Sequence, residues 1–238
     1  MATKDDVSVR RRNFLRSTLG VVPAIALSGG GACIVPAVKA SPAPTPDYKP
    51  VYFSDAEWAF VNAAAERFIP ASEDGPSAKE AGVPEFIDRQ MQTDYGYGGR
   101  WYLQGPFDPQ APDSLGYQLR FNPREFYRAA VADIDGWCQR MHGKPFVDLD
   151  PGIQEEVLGR LQHGEIDLPN VKASEFFSQL LNNTKEGYFA DPMYGGNRSM
   201  GGWKMIGFPG ARGDYADWAK HPGEAYPLGP VSILGEKG

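Results

Sequence analysis

Cys138 and His142 are the residues whose types and spacing come closest to those of a metal site. They stand four residues apart, so a helix would place the thiol and the imidazole on one face. Zinc takes three or four protein ligands, and the chain offers only two further histidines, His163 and His221. The sequence therefore predicts no metal site, and we interpret Cys138 as a small residue of the core.

Two pairs of acidic residues, Asp133 with Asp135 and Glu155 with Glu156, could supply carboxylates for acid–base catalysis. That chemistry needs carboxylates that face each other in a shielded pocket. Side chains one or two residues apart on a helix diverge, so we expect both pairs to lie on solvated helix faces.

The common cofactor and catalytic motifs are missing from the sequence. It contains no Cys-x-x-Cys-His for covalent haem, no Gly-x-Gly-x-x-Gly after a strand for a dinucleotide, and no Walker loop. A Gly-x-Ser-x-Gly elbow and a His-Glu-x-x-His zinc helix are absent as well. We therefore predict no catalytic residue in this chain.

The composition is that of a globular protein, with 42% hydrophobic and 23% charged residues. The 28 glycines and 21 prolines predict much irregular chain between short helices. The net charge of -6 leaves no basic excess for neutralising phosphates, so we expect no nucleic-acid partner.

The stretch from Glu186 to Gly210 is unusually rich in glycine and aromatic residues. Glycine permits tight turns, and aromatic side chains offer a large contact area at small entropic cost. We predict a docking surface for a partner protein; a self-packed loop is the alternative interpretation. The predicted partner-binding residues are Asp191, Tyr194, Asn197, Arg198, Trp203, Lys204 and Phe208.

The amino terminus has the layout of an export signal. Arg11 and Arg12, followed by Phe14 and Leu15, resemble the twin-arginine signal, which exports proteins that have already folded. An uncharged run follows, and small residues favour cleavage after Ala40. A lipoprotein site at Cys33 is disfavoured because Gly30 stands where leucine is usual. We expect a periplasmic protein, and removal of residues 1–40 changes its net charge from -6 to -10.

Capping signals and apolar spacing predict a mainly α protein, with a compact helical domain and long loops rich in glycine, proline and aromatic residues. Ser54 with Glu57 and Asn122 with Glu125 mark two helix starts. Further helical segments are predicted from Ser77 to Gly82, from Pro84 to Met91, from Asp150 to Gly164 and from Ser174 to Phe189. The helix from Asn122 is expected to end at Gly143 and to bury a stripe that includes Met141.

The predicted organisation has four parts. Residues 1–40 are the twin-arginine signal peptide, and residues 41–53 form a linker rich in proline and alanine. Residues 54–210 form the helical domain. Residues 211–238 have no sustained periodicity, so we predict an extended carboxy-terminal arm.

Several long motifs carry a family resemblance. They are Asp191-Pro-Met-Tyr-Gly-Gly-Asn-Arg198, Gly202-Trp-Lys-Met-Ile-Gly-Phe-Pro-Gly210, Ala81-Gly-Val-Pro-Glu-Phe-Ile-Asp88, and Gly105-Pro-Phe107. Together with the twin-arginine leader, they resemble the gluconate 2-dehydrogenase subunit 3 family, also called the small or gamma subunit. The resemblance spans nearly the whole chain.

The resemblance implies a periplasmic complex at the inner membrane, which this chain would reach only through its partners. A large FAD-binding subunit of the GMC type would oxidise a sugar or sugar acid. A multihaem cytochrome c subunit would pass the electrons to quinone. No cofactor is expected in this chain, so FAD and haem c would lie in the partner subunits.

The hypothesis at this stage is a non-catalytic small subunit that assists folding and twin-arginine export of the flavin subunit. Two alternatives remain. One is an independent periplasmic enzyme that uses Asp191, Arg198 and Lys204 on a sugar acid. The other is a binding module in which Arg198 and Lys204 hold the carboxylate of such an acid.

Overall fold

The computed structural model describes residues 48–108 and 110–238. The predicted export residues Arg11, Arg12, Phe14 and Leu15, the Ala40 cleavage site and Cys33 lie outside this part. The described residues form no β-strand, which confirms the mainly α class. Their α-helices are α1 (Asp55–Phe68), α2 (Val83–Gln90), α3 (Pro123–His142), α4 (Pro151–Gln162), α5 (Ala173–Phe189) and α6 (Gly201–Ile206).

The predicted capping boxes start α1 and α3. The Ser54 amide donates to Glu57 Oε2 at 2.8 Å, and the Asn122 amide donates to Glu125 Oε2 at 3.0 Å. The reciprocal bonds to the Ser54 and Asn122 side chains are also present, so each box satisfies two amides that a helix start leaves free. Ser77 exchanges the same two hydrogen bonds with Glu80. The residues that follow Ser77 form a turn before α2 and not a separate helix.

Helix α5 is the central element of the core, because it packs against α1, α2, α3 and α4. Its own Phe176 and Tyr188 are fully buried, as are the aromatic side chains of Phe60, Phe126, Tyr127 and Phe146. Asn183 on α5 accepts hydrogen bonds from the hydroxyls of Tyr127 and Tyr95, at 2.8 and 3.0 Å. These bonds satisfy polar atoms that burial would otherwise leave without a partner.

Two expectations about side-chain placement are wrong. Met141 is 59% exposed, because the last turn of α3 extends beyond the core. Asp133 is buried rather than solvated, and its carboxylate accepts from the Asn170 backbone and side-chain amides at 2.9 and 2.8 Å. Asp135 accepts from the Phe146 amide at 3.0 Å, and burial raises the pKa of its carboxyl group. Both carboxylates of this pair fix loops to α3.

Asp88 anchors the segment that precedes α1, Tyr48–Phe53, which we call the leading segment. Its fully buried carboxylate accepts from the Tyr48 hydroxyl and the Val51 amide, each at 2.7 Å. The amides of Tyr52 and Phe53 donate to the other oxygen at 3.0 and 2.9 Å. Burial and the hydrogen bond to Asp88 raise the pKa of Tyr48, so its hydroxyl stays protonated and acts as a donor. The last six residues of the predicted linker are thus packed onto the domain.

The carboxy-terminal residues leave the domain and return to it. Residues 211–230 contain a cluster of aromatic rings from Tyr215, Trp218 and Tyr226. Val231 then pairs with Gly210 in an isolated parallel bridge. The segment predicted as an extended arm therefore folds back, and its contacts are largely backbone hydrogen bonds, which leave no periodic sequence signal.

Within the described ranges, no helix is both long and apolar enough to span a bilayer.

Replacing Asp88 by asparagine is expected to lower the free energy of unfolding by about 3 kcal/mol, because the amide nitrogen cannot accept the bonds that one carboxylate oxygen receives. Urea unfolding followed by circular dichroism measures this change. The control is Asp94→Asn on an exposed side chain, for which we expect a change within about 0.5 kcal/mol. Equal stability of the two variants would contradict the anchoring role of Asp88.

Candidate functional site

The residues that follow α5, Ala190–Gly210, form what we call the folded-back segment. It contains two 3₁₀ turns, Pro192–Tyr194 and Arg198–Met200, and then α6. The segment approaches α5 so closely that a Cβ atom at Gly196 would lie 2.1 Å from the Gly187 carbonyl oxygen. Only glycine fits there, which accounts for part of the glycine content of this stretch.

Asn197 stabilises the part of the folded-back segment between Ala190 and Gly202. Its side chain is fully buried, donates to the Ala190 carbonyl at 3.0 Å and accepts from the Gly202 amide at 2.9 Å. Asn197, Ser199 and Met200 all have left-handed backbone conformations, with φ of 47°, 53° and 55°. Such conformations in residues other than glycine cost about 1–3 kcal/mol each and persist only where neighbouring structure enforces them.

Glu85 joins the folded-back segment to α2. Its carboxylate, only 4% exposed, pairs with the guanidinium groups of Arg198 and Arg89, each at 2.5 Å. The Arg198 amide also donates to the Ala81 carbonyl at 3.0 Å. Two motifs that lie 113 residues apart at Glu85 and Arg198 therefore meet in one ionic cluster around a buried carboxylate.

Asp191 and Trp203, both predicted to bind a partner, make contacts within this chain. Asp191 is 7% exposed, and its carboxylate accepts from the amides of Met193 and Ile233 at 3.1 and 2.7 Å. Trp203 is 5% exposed, and its indole N–H donates to the Phe189 carbonyl at 2.8 Å. With Asn197, these side chains form the frame of the segment.

The other predicted residues reach the surface. Tyr194 is 46% and Phe208 44% exposed, Lys204 is exposed, and the Arg198 side chain is 26% exposed in its pair with Glu85. Contact with a partner remains a prediction for all of these residues.

Four apolar side chains form an exposed surface on this frame, which we call the apolar patch. It consists of Phe189, Met205, Ile206 and Phe208, which are 38%, 40%, 57% and 44% exposed. The rings of Phe208 and Trp203 are 5.1 Å apart, as are those of Phe189 and Tyr188. Met205 Sδ lies 3.9 Å from the Tyr188 hydroxyl oxygen. Met205 and Ile206 are not among the predicted binding residues, because α6 is too short to show a periodicity.

A cleft of about 530 Å³ lies beside the ionic cluster. Tyr48, Trp58, Glu66 and Lys79 line it, and Arg198 forms one edge. Lys204 is not among the residues that line this cleft. In the alternative enzyme site of Asp191, Arg198 and Lys204, the Asp191 carboxylate already accepts from backbone amides. The Arg198 guanidinium is already paired with Glu85.

Cys138 is fully buried, and burial raises the pKa of its thiol to about 12, with the nearby Asp135 carboxylate adding to the rise. The thiolate that metal binding or nucleophilic attack requires is therefore strongly disfavoured at neutral pH. Among residues 48–108 and 110–238, no three histidine, cysteine or acidic side chains are grouped so as to hold a metal ion.

The chain matches a known protein family. The family model described as gluconate 2-dehydrogenase subunit 3 matches residues 55–210. The chain belongs to this family. The match begins at the first residue of α1 and ends at the last residue of the folded-back segment, so it contains α1 to α6 and the whole apolar patch. Searches of curated proteins and of solved structures give no match.

The ionic cluster should contribute strongly to stability. In Glu85→Gln both guanidinium groups lose their carboxylate, so we expect the free energy of unfolding to fall by about 2–3 kcal/mol. Urea unfolding measures this loss. The matched control is Glu155→Gln, whose carboxylate lies 3.8 Å from Arg67 on the surface, with an expected loss of about 0–1 kcal/mol. A loss for Glu85→Gln no larger than that of the control would show that the cluster does not hold the segment.

Proposed function

We propose that this chain is a non-catalytic small subunit that binds the flavin subunit of a periplasmic gluconate 2-dehydrogenase-type complex. It assists folding of that subunit and provides the twin-arginine signal for its export. Family membership supports a role as one subunit of a multi-subunit dehydrogenase. FAD and haem c would reside in the flavin and cytochrome subunits, which would also supply the contact with the membrane.

The apolar patch is the observation that carries the docking role. Soluble proteins that act alone rarely expose large contiguous apolar surfaces, and such surfaces commonly mark interfaces. In the patch, Ile206 is 57% exposed while the neighbouring Trp203 is fixed inside the domain by its hydrogen bond to Phe189. A rigid apolar surface binds well because few side chains must be ordered on association.

The ionic and polar residues in and beside the folded-back segment support a structural role for buried groups and a docking role for exposed ones. Glu85, Asp191 and Asn197 are buried and bonded within the chain, so they hold the surface in shape. Tyr194 and Lys204 stand exposed and would form a polar rim, which contributes more to specificity than to affinity. Substrate choice would then belong to the flavin subunit.

Adding charge to the apolar patch should abolish docking without unfolding the domain. We expect the double substitution Ile206→Asp and Phe208→Asp to reduce co-purification of the flavin subunit at least about tenfold, because both side chains would be desolvated in the complex. Leu115→Asp is the matched control, since Leu115 is 66% exposed on a different loop. Helical circular dichroism should be unchanged in both. Full co-purification of the double variant would refute docking through this patch.

The escort role predicts the fate of the flavin subunit when the leader fails. Replacing Arg11 and Arg12 together by lysine should leave flavin-subunit activity in the cytoplasm, because both subunits would depend on one twin-arginine signal. Dehydrogenase assays on separated periplasmic and cytoplasmic fractions measure this. Arg10→Lys keeps the arginine pair and serves as the control. Undiminished periplasmic activity in the double variant would refute the escort role.

A further inference from the structure

We propose that residues 231–238 form a clasp that completes the docking surface, and that Asp191 is the positioning residue that closes it. This inference rests on the proposed function for the identity of the partner. It concerns a part of the chain that lies outside the range matched by the family model.

The carboxylate of Asp191 connects the folded-back segment to the clasp. One oxygen accepts from the Met193 amide at 3.1 Å and so caps the first 3₁₀ turn of the folded-back segment. The other accepts from the Ile233 amide, 42 residues further along the chain, at 2.7 Å. Asp191 is 7% exposed, and both bonds are partly buried. The Ile233 side chain is 60% exposed, which means that its backbone, and not its side chain, makes this connection.

Gly210 shows that the clasp and the folded-back segment fit closely. Its φ is +76°, and a Cβ atom there would lie 2.1 Å from the Val231 carbonyl oxygen. The Ala211 amide donates to that same oxygen at 2.7 Å, and the Val231 amide donates to the Pro209 carbonyl at 3.3 Å. Gly210 is the last residue of the family match, yet the requirement for glycine there comes from the clasp.

The remainder of the clasp closes on itself and on the start of α6. Ser232 is buried and exchanges two hydrogen bonds with Glu236, at 2.9 and 3.0 Å, which fixes a tight turn. The Gly238 amide donates to the Pro230 carbonyl at 2.9 Å. A Cβ atom at Gly238 would lie 3.0 Å from Met200 Sδ and 3.2 Å from Lys204 Cε. The end of the clasp therefore lies beside Met200, which directly precedes the helix of the apolar patch, and beside Lys204 within that helix.

The left-handed residues Asn197, Ser199 and Met200 explain why this support matters. Unfavourable backbone conformations persist only when several contacts enforce them. Asn197 is held from inside the segment, whereas Met200 is also contacted by the clasp. Without the clasp, the segment should sample other conformations, and docking would then require the patch to be ordered at the moment of binding.

Hydrogen exchange on the full chain tests the clasp directly. We expect Asp191→Ala to raise the exchange rates of amides in residues 198–208 about fivefold or more, with α1 to α5 unchanged, because it removes the acceptor of the Ile233 amide. Ile233→Pro removes the same bond from the other side and should have the same effect. Ile233→Ala keeps the amide, removes only an exposed side chain, and is the control.

The same three variants are then used to capture the purified flavin subunit. Reduced capture by Asp191→Ala and Ile233→Pro, with normal capture by Ile233→Ala, would support the clasp as part of the docking surface. Unchanged exchange in Ile233→Pro, or faster exchange that leaves capture intact, would overturn it. Failure of the unaltered chain to capture the flavin subunit would instead refute the proposed function, and the exchange result would still show whether the clasp holds the segment.

Discussion

Two buried carboxylates on the eight-residue helix α2 hold the irregular parts of this protein on its helical core. Asp88 receives the amides of the leading segment, and Glu85 receives the guanidinium group of Arg198 from the folded-back segment. The first six residues of α2 are all buried, so the helix has no solvent-facing turn through which these anchors could relax. A carboxylate in such a place is stable only while its partners remain, because an unpaired buried charge is very costly. These carboxylates therefore tie both segments to the helical core.

The features that could be predicted from the sequence depend on interactions between residues that are close together in the chain. The capping boxes at Ser54 and Asn122 involve residues three positions apart, and both helix starts were found from them. The Glu85–Arg198 pair joins residues 113 positions apart, and no periodic pattern reports such a contact. The clasp is held largely by backbone amides and carbonyls, which every residue type offers, so the carboxy-terminal segment looked featureless in sequence. Met141 continued the apolar spacing of α3, but spacing does not show where the core ends.

The segment rich in glycine and aromatic residues is self-packed, and docking of a partner on it remains a prediction. It is self-packed, as the Gly196 contact and the buried Asn197 show, and it also presents exposed apolar side chains. Residues chosen for their chemistry, such as Asp191 and Arg198, turned out to bind backbone amides and a buried glutamate. The exposed residues Met205 and Ile206 carried no such chemical signal. The polar residues thus hold the shape of the segment, and the proposed docking role would belong to the exposed apolar residues.

The state of Cys138 has a consequence for where this fold can exist. It is a free thiol, sealed in the core, and no disulfide links the described residues. Disulfide formation at Cys138 is therefore disfavoured, since a buried thiol with a raised pKa reacts slowly. The domain should keep one and the same stability in a glutathione-rich compartment and in an oxidising one. A companion protein with that property could form its complex on one side of a membrane and keep it, unaltered, on the other.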